Sequence, residues 1–291
     1  MTLRKIPYFD AHCDTLSRCR QNGWQLERNP GHLDLERLAA FSPAAQIFAL
    51  YADSARCTDC FDRIRSQAEL FLQAQADHPE LLGRSRLSVE GAELLDCSID
   101  RLDTVRGWGA VWINLTWNHE NALAGPHTTS QGLTAAGRDF VRAMEERGLL
   151  VDVSHLSDRG FWDVLDLAEG PVMASHSNAR ALCPHSRNLT DDMAREIFAR
   201  GGFVGLNFCI HFLGSSPSIE TVVRHLEHFL DLGGEKCLGL GSDFDGTDLP
   251  PDLTGLQDIP KLWEALEGRG YPEALLQDLF YHNLDRLLTD R

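Results

Sequence analysis

Histidine and acidic side chains directly follow apolar segments at several points of this chain. His12 and Asp14 lie two residues apart in YFDAHCDTL, straight after the apolar residues IPYF. Alternate side chains of a β-strand point to the same face, so the two should project together from the end of a strand. Imidazole and carboxylate are both ligands of divalent metals, although the residues could instead form a hydrogen-bonded pair in a polar turn.

Four further apolar segments end in a potential ligand or base. Glu90 follows RLSV, His155 follows LLVDVS, His176 follows PVMAS and Asp243 follows CLGLGS. Each has a structural alternative when taken alone: a loop carboxylate, a helix cap, a core histidine or a turn residue. Together they favour a metal site, because a buried cluster of acids and histidines without a cation would incur a large desolvation cost.

These side chains need elements that bring their ends together. Alternating strands and helices are typical of a parallel sheet, and eight strands in one chain of 291 residues predict an α/β fold, the (β/α)8 TIM barrel, as a single domain over residues 1–291. Such a barrel places its chemistry at the C-terminal ends of its strands, where these residues occur. A C-terminal amphipathic segment, YPEALLQDLFYHNLDRLL, should close the barrel. The eight strand candidates are IPYFDAH, AAQIFALYA, RLSVEG, GAVWINLTW, LLVDVSH, PVMASHS, GFVGLNF and CLGLGSDF.

The composition narrows the class of protein. The formal charge of −16 disfavours nucleic acids and anionic membranes as partners, because both select basic surfaces. No segment approaches the roughly 20 apolar residues of a membrane helix, and the N-terminus lacks the form of a signal peptide. We therefore expect a soluble cytoplasmic protein whose eight cysteines are free thiols; Cys57 and Cys60 form a lone CxxC.

Six motifs together resemble one known family. DAHCDTL, VEGAE, VDVSH, SHSNARALCPHSRN, GSDFDG and the C-terminal HNLDRLL are similar, in this order, to the membrane dipeptidase (renal dipeptidase) family of zinc peptidases in the amidohydrolase superfamily. The family fold is a (β/α)8 barrel, in agreement with the strand count. The resemblance implies two Zn²⁺ per chain, one on His12 and Asp14 and one on His155 and His176, with Glu90 bridging them. A hydroxide between the ions would attack an amide carbonyl.

The resemblance also implies how a dipeptide would be held. Arg187 in HSRN would bind the substrate carboxylate, and a planar guanidinium suits that group. Asp243 would contact the free amine and transfer protons during cleavage. Members of the family are often dimers, so a homodimer is possible. Two alternatives stay open: an amidohydrolase acting on another small amide, such as an N-acyl amino acid, and a metal-binding barrel without turnover.

One position departs from the family pattern. Better-known members carry a carbonyl-polarising histidine after LT in the fourth strand, whereas this chain has Trp117 there, in LTWNHEN. His119 could replace that histidine, or Asn118 could donate a hydrogen bond instead. Among the other histidines, His127 and His185 are assigned to loops, and His211 could line the pocket.

Overall fold

The computed structural model describes residues 5–289, which contain a closed barrel of eight parallel strands in sequence order. The prediction of a (β/α)8 barrel is therefore confirmed, and each of the eight predicted segments overlaps one strand. The predicted domain limits of 1 and 291 lie outside the described residues. The strands are β1 (Tyr8–Cys13), β2 (Ala44–Leu50), β3 (Arg86–Glu90), β4 (Ala110–Asn114), β5 (Leu150–Asp152), β6 (Met173–Ala174), β7 (Phe203–Leu206) and β8 (Leu238–Leu240).

Helices follow the strands and cover the outside of the barrel. Their starts are fixed locally by side-chain caps: Thr134, Ser157, Thr190 and Ser218 each accept a backbone N–H from the first turn of the helix that follows. The helices are α1 (Thr15–Asn22), α2 (Leu35–Leu38), α3 (Cys60–Asp77), α4 (Pro79–Leu82), α5 (Leu102–Gly107), α6 (Ala135–Glu146), α7 (Asp158–Leu165), α8 (Asp191–Ala199), α9 (Ile219–Asp231), α10 (Ile259–Gly268), α11 (Glu273–Gln277) and α12 (Asn283–Thr289).

The C-terminal segment closes the lower end of the barrel, as predicted from its amphipathic pattern. It is not one continuous helix, because a π-helical turn at Asp278–His282 separates α11 from α12. That turn places Tyr281 against Phe9 of β1, with ring centroids 5.5 Å apart. Tyr281 and Leu284 join an apolar cluster with Phe9 and Trp112. The cluster fills one end of the barrel and leaves the opposite end for polar residues.

The first strand is tied to the last by backbone pairing and by a buried carboxylate. Asp10 of β1 aligns with Leu240 of β8, and the pairing of β1 with β2 shifts register between Asp10 and Cys13. Asp10 is fully buried and accepts the backbone N–H groups of His12, at 2.8 Å, and of Ser242, at 3.0 Å. One carboxylate therefore fixes both His12 and the loop that follows β8. No helix within residues 5–289 combines the length and the apolar character needed to cross a bilayer.

Candidate metal centre and active site

The five predicted metal ligands come together at the C-terminal mouth of the barrel. His12 is in β1 and Glu90 ends β3, whereas Asp14, His155 and His176 stand in the loops just after β1, β5 and β6. All five are buried; the most exposed of them retains 7% of its surface. Although they are up to 164 positions apart in sequence, between His12 and His176, the barrel closure makes them neighbours.

Glu90 is the centre of this cluster. Its Oε1 lies 3.0 Å from Nε2 of His155, 3.6 Å from Nε2 of His176 and 3.7 Å from Nε2 of His12. Nε2 of His12 lies 3.4 Å from Oδ2 of Asp14. A single carboxylate oxygen therefore lies within 3.7 Å of all three imidazoles, a position compatible with a ligand shared by two ions.

Hydrogen bonds outside the cluster orient two of the histidines for metal binding. Nδ1 of His155 donates to the amide oxygen of Asn118 at 2.8 Å, which leaves the Nε2 lone pair facing Nε2 of His176 at 2.9 Å and Oε1 of Glu90 at 3.0 Å. Nδ1 of His176 lies 2.7 Å from the hydroxyl of Ser175. A lone pair facing a carboxylate oxygen at 3.0 Å needs a cation or a proton between them. The donor set therefore fits a divalent metal.

Unpartnered buried atoms point to the same conclusion. Both ring nitrogens of His12 and Oδ1 of Asp14 have no hydrogen-bond partner among the described residues. Among residues 5–289, two groups of three side chains each have their ligand atoms within 4.8 Å of one another. One group is His12 with Glu90 and His176, and the other is His12 with Asp14 and Asp243. The second group includes Asp243, which sequence reasoning assigned to the substrate rather than to a metal.

Burial controls the protonation of these groups. It lowers the pKa of His155 and His176 well below the usual value, with the charges of Arg187 and His12 adding to the effect. Both imidazoles are therefore neutral, the form that binds metal. Burial, reinforced by Asp14, raises the pKa of Glu90 well above its usual value. Burial alone would lower the pKa of His12, but Glu90 and Asp14 outweigh it and raise that pKa to about 10.

Asp243 stands on a tight loop beside the ligands. Its Oδ1 is 4.0 Å from Nε2 of His12, and its Oδ2 accepts a hydrogen bond from Asn207 at 3.0 Å. Its φ of 63° is uncommon for a residue with a side chain, and His155 has a φ of 73°. The loop is held by Asp245, which accepts from Thr15 at 2.6 Å and from the backbone N–H of His32 at 2.7 Å. Asp245 therefore has the structural role in SDFDG, and Asp243 is free to face the cavity.

Arg187 is buried with part of its hydrogen-bonding capacity unused. Its terminal nitrogens lie 3.4 Å from the hydroxyl of Ser177 and 3.3 Å from the carbonyl oxygen of His176, while Nε has no partner among the described residues. The guanidinium also lies 5.4 Å from the ring centroid of Phe212. Burial lowers the pKa of Arg187, against the opposing effect of Asp243 and Glu90. A buried guanidinium with free N–H groups can bind a ligand carboxylate by donating hydrogen bonds to it.

The loop after β4 places residues 117–119 in different surroundings. Trp117 and Asn118 line the cavity, and the amide oxygen of Asn118 is already engaged by His155. His119 is not among the lining residues; its side chain is half exposed, and Nε2 lies 3.8 Å from a carboxylate oxygen of Asp53. The role of His119 as a replacement carbonyl-polarising group stays a prediction, and its position outside the cavity wall disfavours it.

The cavity has a volume of about 1000 Å³ and contains residues that sequence reasoning missed. His127 and His185, which the sequence assigned only to loops, line the cavity together with His211. The ring centroids of His127 and His185 lie 5.9 Å apart. Burial lowers the pKa of His127 to about 4, so the ring is neutral at physiological pH. Tyr51 also lines the cavity. His127 and His185 carry no local signal, because long loops bring them to the mouth of the barrel, whereas Tyr51 directly follows β2 and its strand-end position could have indicated it.

Comparison with known proteins shows one consistent group of relatives. The family model for membrane dipeptidase (peptidase family M19) matches residues 1–290. The "uncharacterized protein in pqqA 5′ region" of Klebsiella pneumoniae is 37% identical over 216 residues, which cover 69% of this chain and 80% of that protein. A Rhodobacter sphaeroides metallo peptidase, solved with a phosphinate mimic of the dipeptide L-Ala-D-Ala, has a TM-score of 0.86 at 28% identity, covering 98% of this chain and 99% of its own. The dipeptidase AC, a metallo peptidase of family M19, gives 0.87 at 29% identity with 98% of both chains covered.

Proposed function

Because this chain belongs to the membrane dipeptidase family, peptidase family M19, we propose that it is a binuclear zinc dipeptidase that hydrolyses the single peptide bond of a dipeptide. The observation that carries the proposal is the approach of Glu90 to three imidazole nitrogens within 3.7 Å. The family supports a metal-dependent dipeptidase, and the count of two zinc ions belongs to the proposal. So do a cytoplasmic location and a homodimer, neither of which follows from the residues described above.

His12 and Asp14 would hold one ion, His155 and His176 the other, and Glu90 both. When bound, two zinc ions would supply a hydroxide at neutral pH and polarise the amide carbonyl. The protein's own contribution is orientation: Asn118 fixes the ring of His155 through its Nδ1–H. The neutral state of His155 and His176 leaves no competing proton on their ligand atoms.

Two charged side chains beside the ligands would recognise the two ends of the substrate. Arg187, buried with an unused Nε–H, would bind the terminal carboxylate. Asp243 would accept a hydrogen bond from the free amine and carry a proton to the leaving nitrogen as the peptide bond breaks. A longer peptide would lose one of these contacts, and this restricts the enzyme to dipeptides.

The test compares four substrates on the zinc-loaded protein: Ala-Ala, its C-terminal amide, Ala-Ala-Ala and N-acetyl-alanine. We expect Ala-Ala to be hydrolysed fastest. Loss of one buried charge-assisted contact is worth about 1.5–3 kcal/mol, so the amide should be about 10- to 100-fold poorer in kcat/KM. Arg187→Gln should reduce the ratio of kcat/KM between Ala-Ala and its amide. Arg224 is exposed and lies outside the cavity, so Arg224→Gln should leave that ratio unchanged.

Zinc content measured on the same samples separates the alternatives. Preference for N-acetyl-alanine would favour the amidohydrolase reading. A protein that holds two zinc ions and hydrolyses none of the four amides would be a metal-binding barrel without turnover. Glu90→Gln should lower the occupancy of both sites; a variant that still binds two zinc ions tightly would show that Glu90 is not the bridge.

A further inference from the structure

The cavity wall formed by α1 carries positive charge that the protein itself does not neutralise. Asp14, Ser17, Arg18 and Gln21 all line the cavity, and this spacing of three and four residues defines one face of a helix. Arg18 is thus one turn beyond the ligand Asp14, on the same face, and its backbone N–H donates to the carbonyl oxygen of Asp14 at 3.2 Å. Arg18 is exposed to the cavity opening rather than buried.

The Arg18 side chain is anchored by a backbone group beside the active-site carboxylates. Nε of Arg18 donates to the carbonyl oxygen of Asp245 at 2.7 Å. The next residue, Gly246, lies so close to Asp14 and Asp243 that a Cβ there would be 2.2 and 2.3 Å from their oxygens. The guanidinium is therefore held next to the loop that carries Asp243, and both of its terminal nitrogens have no hydrogen-bond partner among residues 5–289.

Four other arginines line the cavity, and two of them, Arg20 and Arg187, also have no carboxylate within 4 Å among residues 5–289; Nε of Arg20 donates instead to the carbonyl oxygen of Ser66 at 2.9 Å. The other two are each paired with a nearby acid: Arg56 with Asp53 at 3.2 Å and Arg63 with Asp59 at 3.2 Å. Arg18 has no described carboxylate within 4 Å. In a chain with a formal charge of −16, an arginine that is anchored by a backbone carbonyl but left without a counter-ion favours an anionic ligand.

We propose that Arg18 selects dipeptides whose N-terminal residue has a carboxylate side chain, aspartate or glutamate. The inference rests on the proposed dipeptidase function. Asp243 would hold the substrate amine, and Arg18 is anchored on the loop of Asp243, so its guanidinium faces the side chain of the N-terminal residue. Arg187 approaches the ligands from the loop after β6, where it contacts Ser177 and the backbone of His176. The two cations therefore serve different carboxylates.

The experiment measures kcat/KM for Glu-Ala, Gln-Ala and Ala-Ala with the zinc-loaded, full-length protein. Glutamate and glutamine have nearly the same shape, so the Glu-Ala to Gln-Ala ratio isolates the charge. The ratio is also independent of the folded or metal-loaded fraction, because both substrates meet the same enzyme. We expect Glu-Ala to be favoured about two- to fivefold, less than for a buried pair because Arg18 is exposed. Raising the salt concentration should reduce the ratio.

Two variants assign the preference to Arg18. Arg18→Gln should bring the Glu-Ala to Gln-Ala ratio close to one. The matched control, Arg224→Gln on α9, removes an exposed arginine outside the cavity and should leave the ratio unchanged. Hydrolysis of Gln-Ala and Ala-Ala with no preference for Glu-Ala, or an unchanged ratio in Arg18→Gln, would overturn the inference while the dipeptidase function stands. Failure to hydrolyse any of the three substrates would overturn the proposed function itself.

Discussion

Gly246 provides a direct test of how closely the active-site loop must approach the metal ligands. A Cβ built on Gly246 would lie 2.2 Å from Oδ2 of Asp14 and 2.3 Å from Oδ1 of Asp243, whereas ordinary contacts begin at 3.4 Å. Gly246→Ala must therefore displace the loop or both carboxylates by roughly 1 Å. A misplacement of about 1 Å in a catalytic site can cost about 100-fold, and we expect a loss of that size in kcat/KM.

The assay combines dipeptide kinetics, zinc content and thermal unfolding. Because Gly246 is exposed on a loop, we expect the protein to stay folded, with lower zinc occupancy and slower turnover. The matched control is Gly268→Ala at the end of α10, where a Cβ would meet no atom within 4 Å. That change should leave kcat/KM unchanged. Wild-type kcat/KM and full zinc occupancy in Gly246→Ala would refute the argument that the loop and the two carboxylates are packed at their closest approach.

Three other changes test single groups. Asp243→Asn should lower kcat about 10²- to 10⁴-fold, as expected for a lost proton carrier, while zinc analysis shows whether the residue is also a ligand; full activity would remove the proton-transfer role. Asn118→Ala should weaken zinc binding about 10- to 100-fold in a zinc titration, because the ring of His155 loses the hydrogen bond that orients it. His119→Ala should leave kcat nearly unchanged, because His119 is not among the residues that line the cavity. Burial raises the pKa of Asp34, but hydrogen bonds from Arg37 and nearby backbone groups outweigh it and lower that pKa below its ordinary value. The resulting stabilisation is present above the unfolded-state pKa and lost as the pH falls through the folded-state pKa, so Asp34→Asn should show a smaller fall in its urea midpoint below about pH 4.

The barrel fold and the candidate metal ligands were accessible from the sequence because both leave local patterns along the chain. A short apolar segment that ends in a histidine or an acid predicts that side chain at, or just beyond, the carboxyl end of a strand. Eight apolar segments, five of which end in a histidine or an acid, alternate with amphipathic helices, and this pattern is compatible with few folds. The motif order then supplied the family. For the same reason the C-terminal segment was recognised as the closing element from its amphipathic pattern.

The geometry that decides chemistry came only from tertiary structure. The strands after which His155 and His176 stand are only three and two residues long, so these ligands are positioned by loops rather than by a strand repeat. The anchoring of Arg18 by the carbonyl of Asp245 joins residues 227 positions apart. Such contacts form when closure of the barrel brings β8 beside β1, and neither residue's local sequence encodes the distance. The sequence therefore determined which residues could bind metal and substrate, whereas the long-range hydrogen bonds of the loops determined which of them face the cavity and which, like His119, lie outside its wall.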